Sequence, residues 1–197
     1  MNLTDTRRKL ALHITDPVVA LISKSGITPN ALTFINLALS VAAGCVIAMG
    51  HLLLGGALVL ISGLFDLLDG ALARMTGKAT KFGAVLDSVV DRLAEAAVLS
   101  GLLIWYVSQS GAGLTPLLIL FVLTGSFLVS YIRARAEGLG WQCQVGLFTR
   151  AERVIVLALG LLIDQVFIAL CVLAVFVSIT VAQRLLHLRK QGRIEGN

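Results

Sequence analysis

The sequence predicts an all-α polytopic membrane protein with six transmembrane helices and an N-terminal interfacial amphipathic helix. Three observations carry this expectation. Hydrophobic residues make up 57% of the 197 positions and charged residues 14%, whereas a soluble domain is near half apolar and about a quarter charged. The apolar residues gather into stretches close to the ~20 residues that a helix needs to cross a bilayer core. The basic residues fall at alternate ends of those stretches, as a serpentine of six spans requires.

The N-terminal segment, 1–27, is amphipathic rather than spanning. Leu10, Ile14, Leu21 and Ile22 fall near one helical face, with Arg and Lys elsewhere. Asp16-Pro17 has the form of an N-cap followed by proline at the first helical position, and Gly26 that of a stop. An interfacial helix broken near Asp16 is expected. Arg7, Arg8 and Lys9 are not followed by an apolar run with a small-residue cleavage site, so no cleavable signal peptide is expected. Thr28-Pro29-Asn30 then turns the chain into a single membrane domain, 28–197. Its spans are read at 31–50, 52–74, 83–107, 114–136, 151–164 and 166–188, the fifth being short. The cysteines, Cys45, Cys143 and Cys171, have no zinc-site spacing and read as small apolar residues.

The 16 lysines and arginines fix the orientation. Arg7, Arg8, Lys9 and Lys24 precede span one. Arg74, Lys78, Lys81 and Arg92 surround the turn between spans two and three. Arg133, Arg135, Arg150 and Arg153 flank the loop between spans four and five. Arg184, Arg189, Lys190 and Arg193 follow span six. The connections near Gly50, Ser108–Gly113 and Asp164 carry none. All basic segments therefore lie on one side, expected to be the cytoplasmic side of a prokaryotic plasma membrane, with both termini. Such a surface also attracts anionic head groups and phosphorylated substrates. No nucleic-acid partner is expected.

Spans two and three hold carboxylates that lipid does not tolerate unaided. Asp66 and Asp69 lie in one, and Asp87, Asp91 and Glu95 in the other. Each aspartate at a helix centre costs ~2.5–3.5 kcal/mol, on the order of 10 kcal/mol for four. Spacings of i,i+3 and i,i+4 put each pair on one helix face. The short turn at Met75–Lys81 makes the two helices antiparallel neighbours. Asp69 and Asp87 then sit at similar depth, ~7–9 Å in, and Asp66 and Asp91 about one turn deeper. Four carboxylates without histidine or cysteine favour Mg²⁺ or Mn²⁺ over zinc. Two divalent ions would balance their charge and suit phosphoryl transfer. Gly70 and Gly83 permit close backbone approach.

These residues form a pattern, Asp66-x2-Asp69-Gly70-x2-Ala73-Arg74-x8-Gly83-x3-Asp87-x3-Asp91, that resembles the signature of the CDP-alcohol phosphotransferase family. The resemblance implies an enzyme that transfers a phosphatidyl-type group from a CDP-lipid to an alcohol and releases CMP. It implies that Asp66, Asp69, Asp87 and Asp91 hold two Mg²⁺ or Mn²⁺ ions, and that Asp91 is also the base. Gly70, Ala73, Arg74 and Thr80, with the entry segment Pro29-Asn30-Ala31-Leu32-Thr33, would bind the CDP-lipid. A homodimer is also implied.

Ser130-Tyr131-Ile132-Arg133-Ala134-Arg135-Ala136-Glu137 and Arg150-Ala151-Glu152-Arg153 look most like the branch that uses inositol phosphate, with diacylglycerol or archaeol lipids. Ala151 stands where that branch often has proline. By the resemblance, Arg133, Arg135, Arg153 and Arg184 would cradle the acceptor's phosphate, a task that suits the planar guanidinium. Glycerol-3-phosphate as acceptor is the alternative within the family. A divalent-cation transporter is the alternative outside it, since intramembrane carboxylates also line ion pathways. Arg74 beside the carboxylates would repel such a cargo.

Overall fold

A computed structural model of the chain describes residues 19–23, 26–111 and 113–195. It is all-helical: α1 (Pro29–Ala48), α2 (Leu52–Met75), α3 (Lys81–Val107), α4 (Thr115–Gly138), α5 (Arg150–Leu162) and α6 (Val166–Glu195). Four of them, α1, α2, α4 and α6, are long and apolar enough to cross a membrane. The other two differ for separate reasons. α3 has the length but carries Asp87, Asp91, Arg92 and Glu95, and α5 has only 13 residues.

Local chemistry sets the helix starts. The Thr28 side chain accepts from the Ala31 N–H, with Pro29 in the first turn of α1. The Thr80 hydroxyl accepts from the Gly83 N–H at 2.9 Å and so caps α3. Between α2 and α3 the chain turns through Gly77 at φ +64°, a conformation that glycine enters without strain. Thr149 and Glu152 close a capping box at the start of α5.

The helices close into a ring. α1 packs on α2 and α3, α2 on α5, α5 on α6, α6 on α4, and α4 on α3. One apolar cluster, including Ile47, Val59, Leu99, Leu102, Leu161 and Leu170, fills one end. A smaller one joins Val19, Leu32, Leu68 and Leu72 near the other. Between them α1 contributes the buried polar residues Thr33, Asn36 and Ser40, and α2 contributes Ser62 and Asp69.

The predicted break at Asp16-Pro17, with Leu10 and Ile14, lies outside the described residues. Of the predicted N-terminal helix, residues 19–23 are helical, and Gly26 has φ +76°, as a stop requires. In that stretch Val19 is buried and Ile22 packs beside it on the small cluster, while Leu21 is exposed.

Candidate active site

Three carboxylates converge. Asp66, Asp69 and Asp87 each offer an oxygen, and the three atoms lie within 4.8 Å of one another. α1 orients two of them. The Thr33 hydroxyl donates to Asp69 Oδ2 at 2.8 Å, and Asn36 Nδ2 donates to Asp66 Oδ1 at 3.2 Å. Asn36 is itself fixed, because Ser62 donates to its Oδ1 and stands 2.6 Å from the Ser40 hydroxyl. This chain of hydrogen bonds holds the carboxylates on one heading, as supporting contacts around metal ligands do.

Asp91 is outside that trio but lies beside Asp66, within side-chain hydrogen-bond reach, and Arg150 spans the two. Arg150 Nη1 pairs with Asp66 Oδ1 and lies 2.8 Å from Asp91 Oδ1. The pairing with Asp91 is ionic rather than aligned: Asp91 Oδ1 and Arg150 Nε are buried and make no hydrogen bond. All-oxygen carboxylate donors around unsatisfied buried charge fit a hard divalent ion, Mg²⁺ or Mn²⁺.

Two cavities flank the carboxylates. The first, about 190 Å³, is bounded by Pro29, Asn30 and Thr33 from α1, by Asp69, Gly70, Ala73 and Arg74 from α2, and by Thr80, Gly83 and Asp87 across the turn. Within the entry segment, however, Ala31 and Leu32 do not reach it. Successive helical residues point ~100° apart, and Leu32 is 1% exposed in the small apolar cluster. Thr33 borders this cavity, and its hydroxyl donates to Asp69. Gly70 lies against Arg74: a Cβ there would stand 3.3 Å from the guanidinium, which would have to shift by a few tenths of an ångström.

The second cavity, about 390 Å³, collects Asp87, Asp91 and Glu95 from α3 and the guanidinium-bearing residues Arg133, Arg150, Arg153 and Arg184. Arg135 is not part of it. Two residues along α4 from Arg133, it projects from a different face and is exposed. All four arginines already have partners, Arg150 on Asp66 and Asp91. Arg153 grips Glu95 with Nε at 2.8 Å and Nη2 at 2.9 Å. Arg184 Nε donates to the Val145 carbonyl at 3.0 Å and its Nη1 to that of Val129. Arg133 pairs at 2.8 Å with Glu137, one turn along α4. Asn36, Ser40, Ser62, the pairing of Glu95 with Arg153 and the bridging role of Arg150 are not legible in the sequence. Thr33, Asn36 and Ser40, at i, i+3 and i+7 in an apolar span, form the stripe that could have revealed the α1 network.

The sequence profile of CDP-alcohol phosphatidyltransferases matches residues 26–184, from Gly26 to Arg184. The chain belongs to this family. Among other CDP-alcohol phosphatidyltransferases, it is 39% identical over 188 residues to the phosphatidylinositol phosphate synthase of Mycobacteroides abscessus, covering 90% of this chain and 84% of that one. It is 36% identical over 172 residues to the archaetidylinositol phosphate synthase of Pyrococcus horikoshii, covering 86% and 88%. Its fold is similar to crystal structures of the Mycobacterium tuberculosis phosphatidylinositol phosphate synthase. The complex with manganese and citrate gives a TM-score of 0.80 at 35% identity, covering 87% of each chain. The complex with CDP-DAG gives 0.78 at 35%, covering 88% of this chain and 92% of that one.

Proposed function

We propose that this enzyme transfers a phosphatidyl-type group from a CDP-lipid, CDP-diacylglycerol or CDP-archaeol, to a hydroxyl of inositol phosphate and releases CMP. One observation carries the reading. The carboxylates lie between a cavity lined by the family's signature residues and a cavity lined by arginines, and Asp87 borders both. A nucleotide diphosphate and a phosphorylated alcohol can thus meet across one charged partition. The relatives named for inositol phosphate products support this choice of acceptor.

Two divalent ions, Mg²⁺ or Mn²⁺, held by Asp66, Asp69, Asp87 and Asp91, would supply Lewis-acid neutralisation of the diphosphate. The residues do the rest. Pro29, Asn30, Gly70, Ala73, Arg74 and Thr80 seat the CDP group, with Arg74 offering charge to the departing phosphate. Arg133, Arg153 and Arg184 hold the acceptor's phosphate. Asp91, which borders the acceptor cavity, takes the proton from the attacking hydroxyl. That oxygen forms a bond to the β-phosphorus as the bond to CMP breaks. All six helices cross the membrane, α3 with its carboxylates turned inward and α5 for part of the depth, and residues 28–197 form one membrane domain. Both termini face the cytoplasm. A homodimer follows from the family resemblance.

The test is CMP release from CDP-diacylglycerol across inositol phosphate, inositol, glycerol-3-phosphate and serine. Inositol phosphate should be the best acceptor, EDTA should stop the reaction, and Mg²⁺ or Mn²⁺ should restore it. Asp66→Asn, Asp69→Asn, Asp87→Asn and Asp91→Asn should each abolish most release while the protein still inserts. Preference for glycerol-3-phosphate would move the enzyme to another branch of the family. Full activity in any two of the aspartate variants would remove the metal assignment.

A further inference from the structure

Arg150 occupies a place that two roles contest. Its Nη1 pairs with Asp66 Oδ1, and the same oxygen accepts a hydrogen bond from Asn36. A carboxylate oxygen has two lone-pair directions, so Arg150 and Asn36 together saturate this one. Yet Asp66 is one of the three carboxylates whose oxygens converge within 4.8 Å. A divalent ion that took that oxygen would displace one of the two, and the guanidinium is the one that the ion's charge repels. Arg92 approaches Asp91 from the same helix at 3.8 Å. Arg92 does not bridge to Asp66; Arg150 does.

The backbone at and before Arg150 is anchored. The start of α5 is fixed by the capping box of Thr149 and Glu152. The preceding loop is strapped to α6, with the Leu147 N–H on Gln183, the Phe148 N–H on Thr180, and Phe148 stacked on Phe176. The Arg150 side chain extends from this anchored backbone and already borders the 390 Å³ cavity. There Arg153 already spends Nε and Nη2 on Glu95, and Arg184 spends Nε and Nη1 on backbone carbonyls, so each has fewer donors left for the acceptor. A released Arg150 would bring uncommitted donors to the N-terminal end of a helix, where an anion is favoured.

We propose that Arg150 is an exchangeable counter-cation: it neutralises Asp66 and Asp91 when divalent ions are absent, and passes into the arginine-lined cavity to take the acceptor's phosphate when they bind. This rests on the metal and acceptor sites proposed above. Two consequences follow. Ion binding frees Asp91 to receive a proton, and it builds the acceptor site, so that ions precede the acceptor. Because coupling is reciprocal, a bound acceptor phosphate also tightens ion binding.

The experiment is Mn²⁺ binding to the purified full chain in detergent, without CDP-lipid, followed by the electron paramagnetic resonance of free Mn²⁺. Arg150→Gln removes the competitor and should bind Mn²⁺ roughly 10- to 100-fold more tightly than the parent. Arg150→Lys, which keeps the charge, should fall between them. Arg189→Gln, the same loss of charge at an exposed position on α6, should match the parent. In EDTA, Arg150→Gln should melt lower than the parent and gain more from Mn²⁺. With saturating Mn²⁺, it should raise the KM for inositol phosphate about tenfold, the weight of one charge-assisted contact. A residue that merely organised the aspartates would show the opposite sign in the binding arm. Equal or weaker Mn²⁺ binding in both Arg150 variants overturns the exchange and leaves the metal site standing. An unchanged KM overturns the transfer to the acceptor cavity. Absence of Mn²⁺ binding in every protein removes the metal reading itself, and the exchange with it.

Discussion

Arg153 meets two demands with one guanidinium. It is 4% exposed and holds both oxygens of Glu95, yet it also borders the acceptor cavity. Removing it therefore has two effects. Arg153→Ala should raise the acceptor KM by about 10- to 100-fold, the weight of a charge-assisted phosphate contact. It should also destabilise the protein by about 3–5 kcal/mol, because Glu95 is left buried and uncompensated. Arg133→Ala provides the contrast. Arg133 and Glu137 are about half exposed, and such a pair is worth about 0–1 kcal/mol, so KM should rise with little change in melting. Adding Glu95→Gln to Arg153→Ala should recover melting temperature but not KM, and recovery of both would place Arg153 outside acceptor binding. Residue types and spacing made the aspartates legible in the sequence, because a charge in an apolar run has few innocent explanations. The partners of those charges were not legible. Glu95 and Arg153 are 58 positions apart, and no local pattern says which arginine a buried glutamate will meet.

At the level of helices, boundaries followed from caps and turns, and the six expected stretches match α1 to α6 with shifts of a few residues at most ends. Faces were harder to read. The segment Pro29-Asn30-Ala31-Leu32-Thr33 reads in sequence as one binding stretch, but a helix distributes five consecutive residues around its whole circumference, and Leu32 turns into the core. Close helix approach also left only a weak trace in the sequence. α1 and α3 meet backbone to backbone: a Cβ on Gly101 would lie 2.1 Å from the Gly44 carbonyl oxygen, and one on Gly44 would lie 2.4 Å from that of Ala97. No side chain can rotate away there, so the helices must part. α1 carries Thr33 and Asn36 and α3 carries Asp87 and Asp91, so parting them loosens the carboxylate site from a distance. Gly101→Ala should destabilise by about 1–3 kcal/mol, as overpacking does, and should lower CMP release. Gly138→Ala, where nothing lies within 4 Å of the added methyl, should leave both near parental values. Parental melting and activity in Gly101→Ala would show that the α1–α3 contact does not set the site.

For the molecule as a whole, the ring of helices reconciles apolar composition with a charged interior. α3 is too charged to stand alone in lipid, but Arg150 and Arg153 of α5 meet its Asp91 and Glu95, while Thr33 and Asn36 of α1 meet Asp69 and Asp66 of α2. α5 is ~20 Å long by its residue count, short of a ~30 Å core. The loop before it completes the path, and that loop is tied to α6 through Gln183, Thr180 and Arg184. Counting α3 and α5 as crossing gives six spans and puts every lysine and arginine of the chain at one face, whereas counting only the four helices that qualify by composition scatters them. The prediction is that both termini and the α2–α3 turn are cytoplasmic. A cysteine introduced at Ser110, between α3 and α4, should be labelled by an impermeant reagent applied outside intact cells, after the native cysteines are replaced. One at Gly77, in the α2–α3 turn, should be labelled only after the membrane is opened. The reverse pattern would put the acceptor cavity on the outer face, away from any cytosolic phosphorylated alcohol. Labelling of both from outside would mean that α3 does not cross, and the antiparallel pairing of α2 and α3 that brings Asp66, Asp69 and Asp87 together would then require a re-entrant hairpin.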